Sequence, residues 1–182
     1  MKKIVWTFGL ISGAILSVMM LITIPFVSTI GSNGMIIGYT TMVLAFLLVF
    51  FGVRSYRDNV GGGRVSFGRA MAVGSLIALI SSACYVATWE MLYFKLAPGH
   101  GQRLTAAMLE SARNGEGTPE ERQKKVAEME EFIRMYQNPL INAGMTFLEP
   151  LPVALVFTLV SAGILSRRRR VVEPGGLVPI VG

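Results

Sequence analysis

Apolar residues dominate long stretches of this chain, and where they are interrupted the polar positions fall in clusters. No Asp, Glu, Lys or Arg occurs from Ile4 to Val53, fifty residues in all. Roughly 20 apolar residues suffice to cross a hydrocarbon core about 30 Å thick. A run of this length predicts two membrane spans, about Ile4 to Phe26 and Met35 to Val53. Gly31-Ser32-Asn33-Gly34 supplies a turn between them. A third span is predicted from about Ala70 to Phe94. A fourth runs from about Met145 to Leu165, inside a segment bounded at 142 and 166. The expected fold is therefore all-α, an integral membrane four-helix bundle.

The polar clusters set the remaining organisation. Arg54-Ser55-Tyr56-Arg57-Asp58, a Gly61-Gly62-Gly63 triplet, Arg64 and Arg69 predict a short basic loop over 54–69. Arg167 to Arg170 stop the fourth span, and residues 167–182 read as a basic stop followed by a disordered tail. Residues 95–141 form the one sizeable polar segment, with seven basic residues and seven glutamates. Two helices are legible in it. Gln102 to Arg113 brings Leu104, Met108, Leu109 and Ala112 near one face. Thr118-Pro119-Glu120-Glu121 then reads as an N-cap, a proline at the first helical position and a glutamate closing a capping box. Val126, Met129, Phe132, Ile133 and Tyr136 follow at helical spacing, and Asn138-Pro139 ends the rod. The expected product is an extracytoplasmic helical hairpin between spans three and four.

Orientation follows from the distribution of Lys and Arg. Ten of them, including Lys2, Lys3, Arg54, Arg57, Arg69, Arg167 and Arg168, lie in short segments on one side; the other side holds seven, all within 95–141. The positive-inside rule then places both termini in the cytoplasm. Arg54, Tyr56, Arg57, Arg69, Arg167 and Arg168 are the expected anchors at the membrane interface. Trp6, Tyr85, Trp89 and Tyr93 lie toward span ends, where aromatic belts form. The apolar start is longer than a signal-peptide core and lacks a small-residue cleavage site, so it is expected to stay as the first span.

Composition adds little to this picture and removes alternatives. The chain has 182 residues, is 52% hydrophobic and 15% charged, and carries a net charge of +6. Its basic residues flank apolar segments, so the charge implies membrane topology, and no nucleic acid partner is expected. Small residues mark packing faces: Gly9, Gly13 and Ser17; Ala70, Gly74, Ala78 and Ser82; Ala154, Thr158 and Ala162. The first of these faces also suits a homodimer. Cys84, the single cysteine, is expected as a small residue packed between helices.

Candidate chemistry is sparse. Glu90 and Glu149 are the only acidic residues inside the predicted spans, and ionisable groups at membrane depth are functional candidates. At 1.5 Å per residue they lie about 31 Å from Arg69 and about 27 Å from Arg167, near the outer boundary. They are read as interfacial carboxylates, hydrated or paired with Lys95 or a hairpin Arg. A sharper reading has both face one outward vestibule, beside the helix-disturbing Pro150 and Pro152. Thr158, Ser161, Thr88, Ser82 and Ser81 would continue such a path inward. His100 stands alone, and no zinc, phosphate-loop or nucleophile motif is present. The chain is therefore expected to be non-enzymatic, with no metal site and no cofactor.

Ile37-Gly38-Tyr39, Phe50-Phe51-Gly52-Val53-Arg54-Ser55-Tyr56-Arg57-Asp58, the glycine turn and Val65-Ser66-Phe67-Gly68-Arg69-Ala70 together resemble a bacterial membrane family, domain of unknown function 4199. Asn138-Pro139 and the stretch Glu149 to Pro152 fit it too, and the resemblance extends to about Leu165. It implies a four-span protein of the bacterial inner (plasma) membrane and supplies no activity. Two functions compete. One is an accessory or scaffold protein that binds a membrane or periplasmic partner through Val126, Met129, Phe132 and Tyr136 or through its helix faces. The other is an oligomeric small-solute or ion transporter or channel using Glu149 and Glu90. The lipid bilayer is a partner in both, and a second copy of the chain in the latter.

Overall fold

The computed structural model describes residues 1–23 and 33–166, and among these residues the only regular structure is helical. In chain order the elements are α1 (Lys2–Thr23), α2 (Asn33–Asn59), α3 (Phe67–Met91) with a wide π-helical turn Leu92–Leu96, α4 (Pro98–Asn114), α5 (Pro119–Tyr136), α6 (Pro139–Leu148) and α7 (Leu151–Leu165). Four stretches are long and apolar enough to cross a membrane: Lys2–Thr23, Ile36–Asn59, Phe67–Leu96 and Pro139–Leu165. The chain is a multi-pass membrane protein built on a four-helix bundle. The expected stop at Arg167 and Arg168 and the tail lie outside the described residues, as does the turn at 31–32.

α3 is the centre of the bundle, packed against α1, α2, α6 and α7. Lipid offers no hydrophobic drive to bring helices together, so close approach at small residues must do it. α1 buries Val5, Gly9, Ser12, Gly13, Leu16 and Met20 on one stripe, while Trp6, Leu10, Ile11, Val18 and Ile22 face outward. A Cβ at Gly9 would stand 2.8 Å from the Cβ of Ile80, and one at Gly13 would stand 2.6 Å from that of Cys84. The Gly9/Gly13 face is thus spent inside the chain, on α3. Ala70, Gly74, Ala78 and Ser82 are buried likewise, with Gly74 against Thr158 and Val49. Hydroxyls stitch the helices together: Ser12 donates to the carbonyl of Ala45 (2.9 Å), Ser81 to that of Gly9 (3.1 Å), and Thr88 to Ser17 (2.8 Å). Phe46, Val49, Val53 and Ile77 are fully buried and close the middle of the bundle.

The basic loop is shorter than the expected 54–69. α2 runs on to Asn59, because side chains one turn apart support each other there: Arg54 pairs with Asp58 (3.6 Å) and Asn59 donates to Ser55 (3.1 Å). The amides of Val60 and Gly61 then bond the carbonyl of Tyr56, and Gly62 and Gly63 take the left-handed conformation (φ 60° and 80°) that turns the chain. Ser66 caps α3 by accepting from the amide of Arg69. Extending α2 also corrects the placement of Tyr56. It falls on the face of Val49 and Val53, and its ring is buried in the core beside Val65 instead of at the lipid interface. Arg54 and Arg69 are exposed, and Arg57 is half-buried against Asp58 (2.7 Å).

α4 and α5 form the hairpin and pack on each other. The capping box at Thr118 is closed both ways, with the amide of Thr118 donating to Glu121 (2.9 Å) and the amide of Glu121 to Thr118 (3.3 Å). α4 starts at Pro98, four residues before the expected Gln102, with proline in the first turn. The fourth span also starts earlier than Met145, at Pro139, where Asn138 accepts from the amide of Leu140 (3.0 Å). It is broken into α6 and α7 at Glu149-Pro150.

Candidate functional site

The polar side chains of the bundle converge at the end nearest the hairpin. Tyr85 and Trp89 are one turn apart on α3, and Asn142 and Thr146 are one turn apart on α6. These two helices pack together, which brings Trp89 to Asn142 and Tyr85 to Glu149 just past Thr146. The Trp89 indole donates to the Asn142 side-chain carbonyl (2.9 Å) and to the Tyr136 hydroxyl (3.1 Å). Asn142, fully buried, donates its amide to the backbone carbonyl of Tyr136 (3.1 Å) and accepts a long bond from Thr146 (3.4 Å). The ring of Tyr93 stands against both Trp89 and Tyr136, with centroids 5.7 and 5.6 Å away, and Phe132 stacks on Tyr136. Gly101 lies directly on the Tyr93 ring. The π-helical turn allows the consecutive residues Leu92 and Tyr93 both to be buried. The hairpin is thereby braced to the third and fourth spans.

Tyr85, Trp89 and Tyr93 accordingly do not form an outward aromatic belt. Aromatics near span ends usually anchor in headgroups, but here the hairpin folds back on them and turns them inward. Trp6 alone of the four is exposed.

One turn beyond Thr146, Glu149 accepts a hydrogen bond from the Tyr85 hydroxyl on Oε2 (3.0 Å). It lines a half-open crevice of about 90 Å³ with Leu16, Met19, Met20 and Thr23 of α1, Gly38, Thr41 and Met42 of α2, and Tyr85. Glu90 points elsewhere. It is half-buried, one of its oxygens is buried with no hydrogen-bond partner, and it does not line the crevice. The crevice is thus lined by Glu149 and not by Glu90. Among the described residues neither pairs with Lys95, a hairpin Arg or any other cation. Tyr136 lies within electrostatic reach of both. Its phenol is pushed above the usual tyrosine range, chiefly by burial and further by Glu149 and Glu90, against the bonds from Thr146 and Trp89 that lower it.

The hydroxyls expected to extend a path inward do not form one. Thr158 and Ser161 donate to the carbonyl four residues back, ordinary behaviour for hydroxyls in apolar helices, and Ser81 and Thr88 share their protons between that carbonyl and α1. Ser82 is buried with no partner for its hydroxyl. Among the described residues no three His, Cys, Asp or Glu side chains converge.

On the hairpin, Val126, Met129, Phe132 and Tyr136 are half-buried. Met129 and Phe132 line an open groove with Met108, Ser111, Ala112, Lys125 and Glu128, while Tyr136 is taken up by the brace. Trp89, Asn142, Thr146 and Tyr85 had not stood out as site residues. Their one sequence signal is register: 85 and 89, and 142 and 146, are each four apart on helical faces.

Residues 7–167 match a family described as proteins of unknown function, DUF4199. The chain belongs to the DUF4199 family. The matched region of this DUF4199 protein takes in most of α1 and all of α2 to α7, including the brace, Glu90 and Glu149. No curated protein and no solved structure matches the chain.

Proposed function

We propose that this DUF4199 protein is a non-enzymatic accessory protein of a bacterial inner membrane, with both termini in the cytoplasm and the hairpin outside, held rigidly for a protein partner. The observation that carries this is the brace. A hairpin that merely linked two spans would need no buried Asn142 and no indole bonded to both Tyr136 and Asn142. Buried polar networks of this kind fix one arrangement. The groove at Met108, Ala112, Met129 and Phe132 is the contact surface, with Lys125 and Glu128 on its rim.

Photo-crosslinkers at Met129 and Ser111, with Leu155 on the lipid face as control, test it in native membranes. Both groove positions should capture the same protein, and Lys125→Glu should abolish capture. Capture of lipid alone would refute it.

A second function, oligomeric transport of a small solute or ion, is favoured by the Glu149 crevice. It requires a path between copies of the chain, since Phe46, Val49, Val53 and Ile77 close the single bundle. Capture of a second copy at both groove positions, with liposome flux lost in Glu149→Gln, would favour it.

A further inference from the structure

The crevice beside Glu149 has a chemical bias that goes beyond a role for the hairpin. Every polar group on its wall can accept a hydrogen bond, and its donors are already engaged. Thr23 donates to the carbonyl of Met19 (2.8 Å) and Thr41 to that of Ile37 (2.8 Å), so only lone pairs of each hydroxyl are left. Tyr85 donates to Glu149, which leaves its oxygen as an acceptor too. An ionised carboxylate offers about four acceptor positions, and Tyr85 occupies one of them. The rest of the wall, Leu16, Met19, Met20 and Met42, is apolar and polarizable.

A negative charge near a membrane boundary is costly without a counter-charge, and no basic side chain among the described residues provides one. Among the described residues the Glu149 carboxylate therefore stands without a counter-charge. We propose that the crevice binds a primary ammonium group, carried by a small free amine or by an aminophospholipid headgroup. An ammonium brings three donors and no acceptor, the complement of this wall. The crevice, about 90 Å³ and half open, admits a small primary ammonium. A tetraalkylammonium has no N–H to offer these acceptors. Hard divalent ions want six or more oxygen ligands or retain water, and a wall half made of methionine and leucine does not supply them.

Site-resolved labelling with a hydrophobic carbodiimide tests this on the full chain in vesicles, with Glu90 as internal reference because it lies outside the crevice. The base vesicle contains phosphatidylglycerol and phosphatidylcholine. In one arm phosphatidylethanolamine replaces phosphatidylcholine at equal net charge; in another, ethylammonium or tetraethylammonium is added at equal ionic strength. Labelling of Glu149 should slow at least threefold with phosphatidylethanolamine, with ethylammonium, or with both, while Glu90 is unchanged. Slowing by the lipid alone assigns the site to a headgroup, and slowing by the soluble amine alone assigns it to a free amine. Unchanged labelling of Glu149 in every arm would overturn the proposal. So would equal slowing by tetraethylammonium, or equal slowing at Glu90.

Discussion

Trp89→Phe isolates the hydrogen bonds of the brace from its packing. Phenylalanine keeps an aromatic ring against Tyr93 and removes the indole N–H that reaches Asn142 (2.9 Å) and Tyr136 (3.1 Å). The Tyr136 hydroxyl can turn to another partner. The Asn142 side-chain oxygen cannot, since the residue is fully buried and its other donor, Thr146, is 3.4 Å away. Leaving a buried acceptor short of a donor costs about 1–3 kcal/mol, and polar contacts in membrane bundles sit at the lower end, about 0.6 and up to about 1.7. A loss of about 1–2 kcal/mol raises local opening roughly 5- to 30-fold, at tenfold per 1.4 kcal/mol. Hydrogen exchange in nanodiscs reads this out directly. Amides of α4 and α5 should exchange faster by that factor, while those of α1 and α2 stay as in the unmodified chain.

Asn142→Ala provides the cross-check. It removes the acceptor, so adding Trp89→Phe should increase exchange by less than half the factor seen for Trp89→Phe alone, as for residues in one network. Exchange of α4 and α5 within twofold of the parent, or equal acceleration across all four spans, would refute the claim that this network holds the hairpin.

Three further outcomes follow from the packing. Gly13→Ala puts a methyl 2.6 Å from the Cβ of Cys84; overpacking of this kind costs about 1–3 kcal/mol. The melting temperature in detergent should fall, and Cys84→Ala should not restore it, because it keeps the Cβ. Ser82→Ala removes a buried hydroxyl that has no partner, so thermal stability should stay level or rise by up to about 1 kcal/mol; a drop would reveal a bond to this oxygen. Thr118→Ala opens the capping box, costing about 1 kcal/mol. It should speed exchange in the first turn of α5 and leave the brace region at 133–142 unchanged.

The spans were legible because an uncharged run of fifty residues admits few other structures, and the capping box because its residues are contiguous. Helix ends were less so. Arg54, Arg57 and Asp58 look like loop residues by polarity, yet at helical spacing they pair and carry α2 to Asn59. Drawing the fourth span from Met145 left Asn142 at its edge, hiding the residue to which Trp89 is bonded. Glu90 and Glu149 are alike by depth along the helix axis. They differ in direction around it, and direction depends on which helices α3 and α6 touch, which is a matter of tertiary packing.

That difference in direction traces to the break in the fourth span. Irregular backbone at membrane depth persists only where protein or a cavity satisfies it. Here Pro150 is fully buried while Glu149, its neighbour, is exposed and lines the crevice. One and two turns earlier, Thr146 and Asn142 are buried, so the same helix face that holds the hairpin in place also carries Glu149 to Tyr85. Brace and crevice are therefore two ends of one short helix, α6, fixed at Asn138 by its cap and released at Pro150 by a missing amide. A force that moved the hairpin would reach Glu149 through the ten residues of α6. Loss of a counter-charge at Glu149 would act back along the same ten residues on the hairpin.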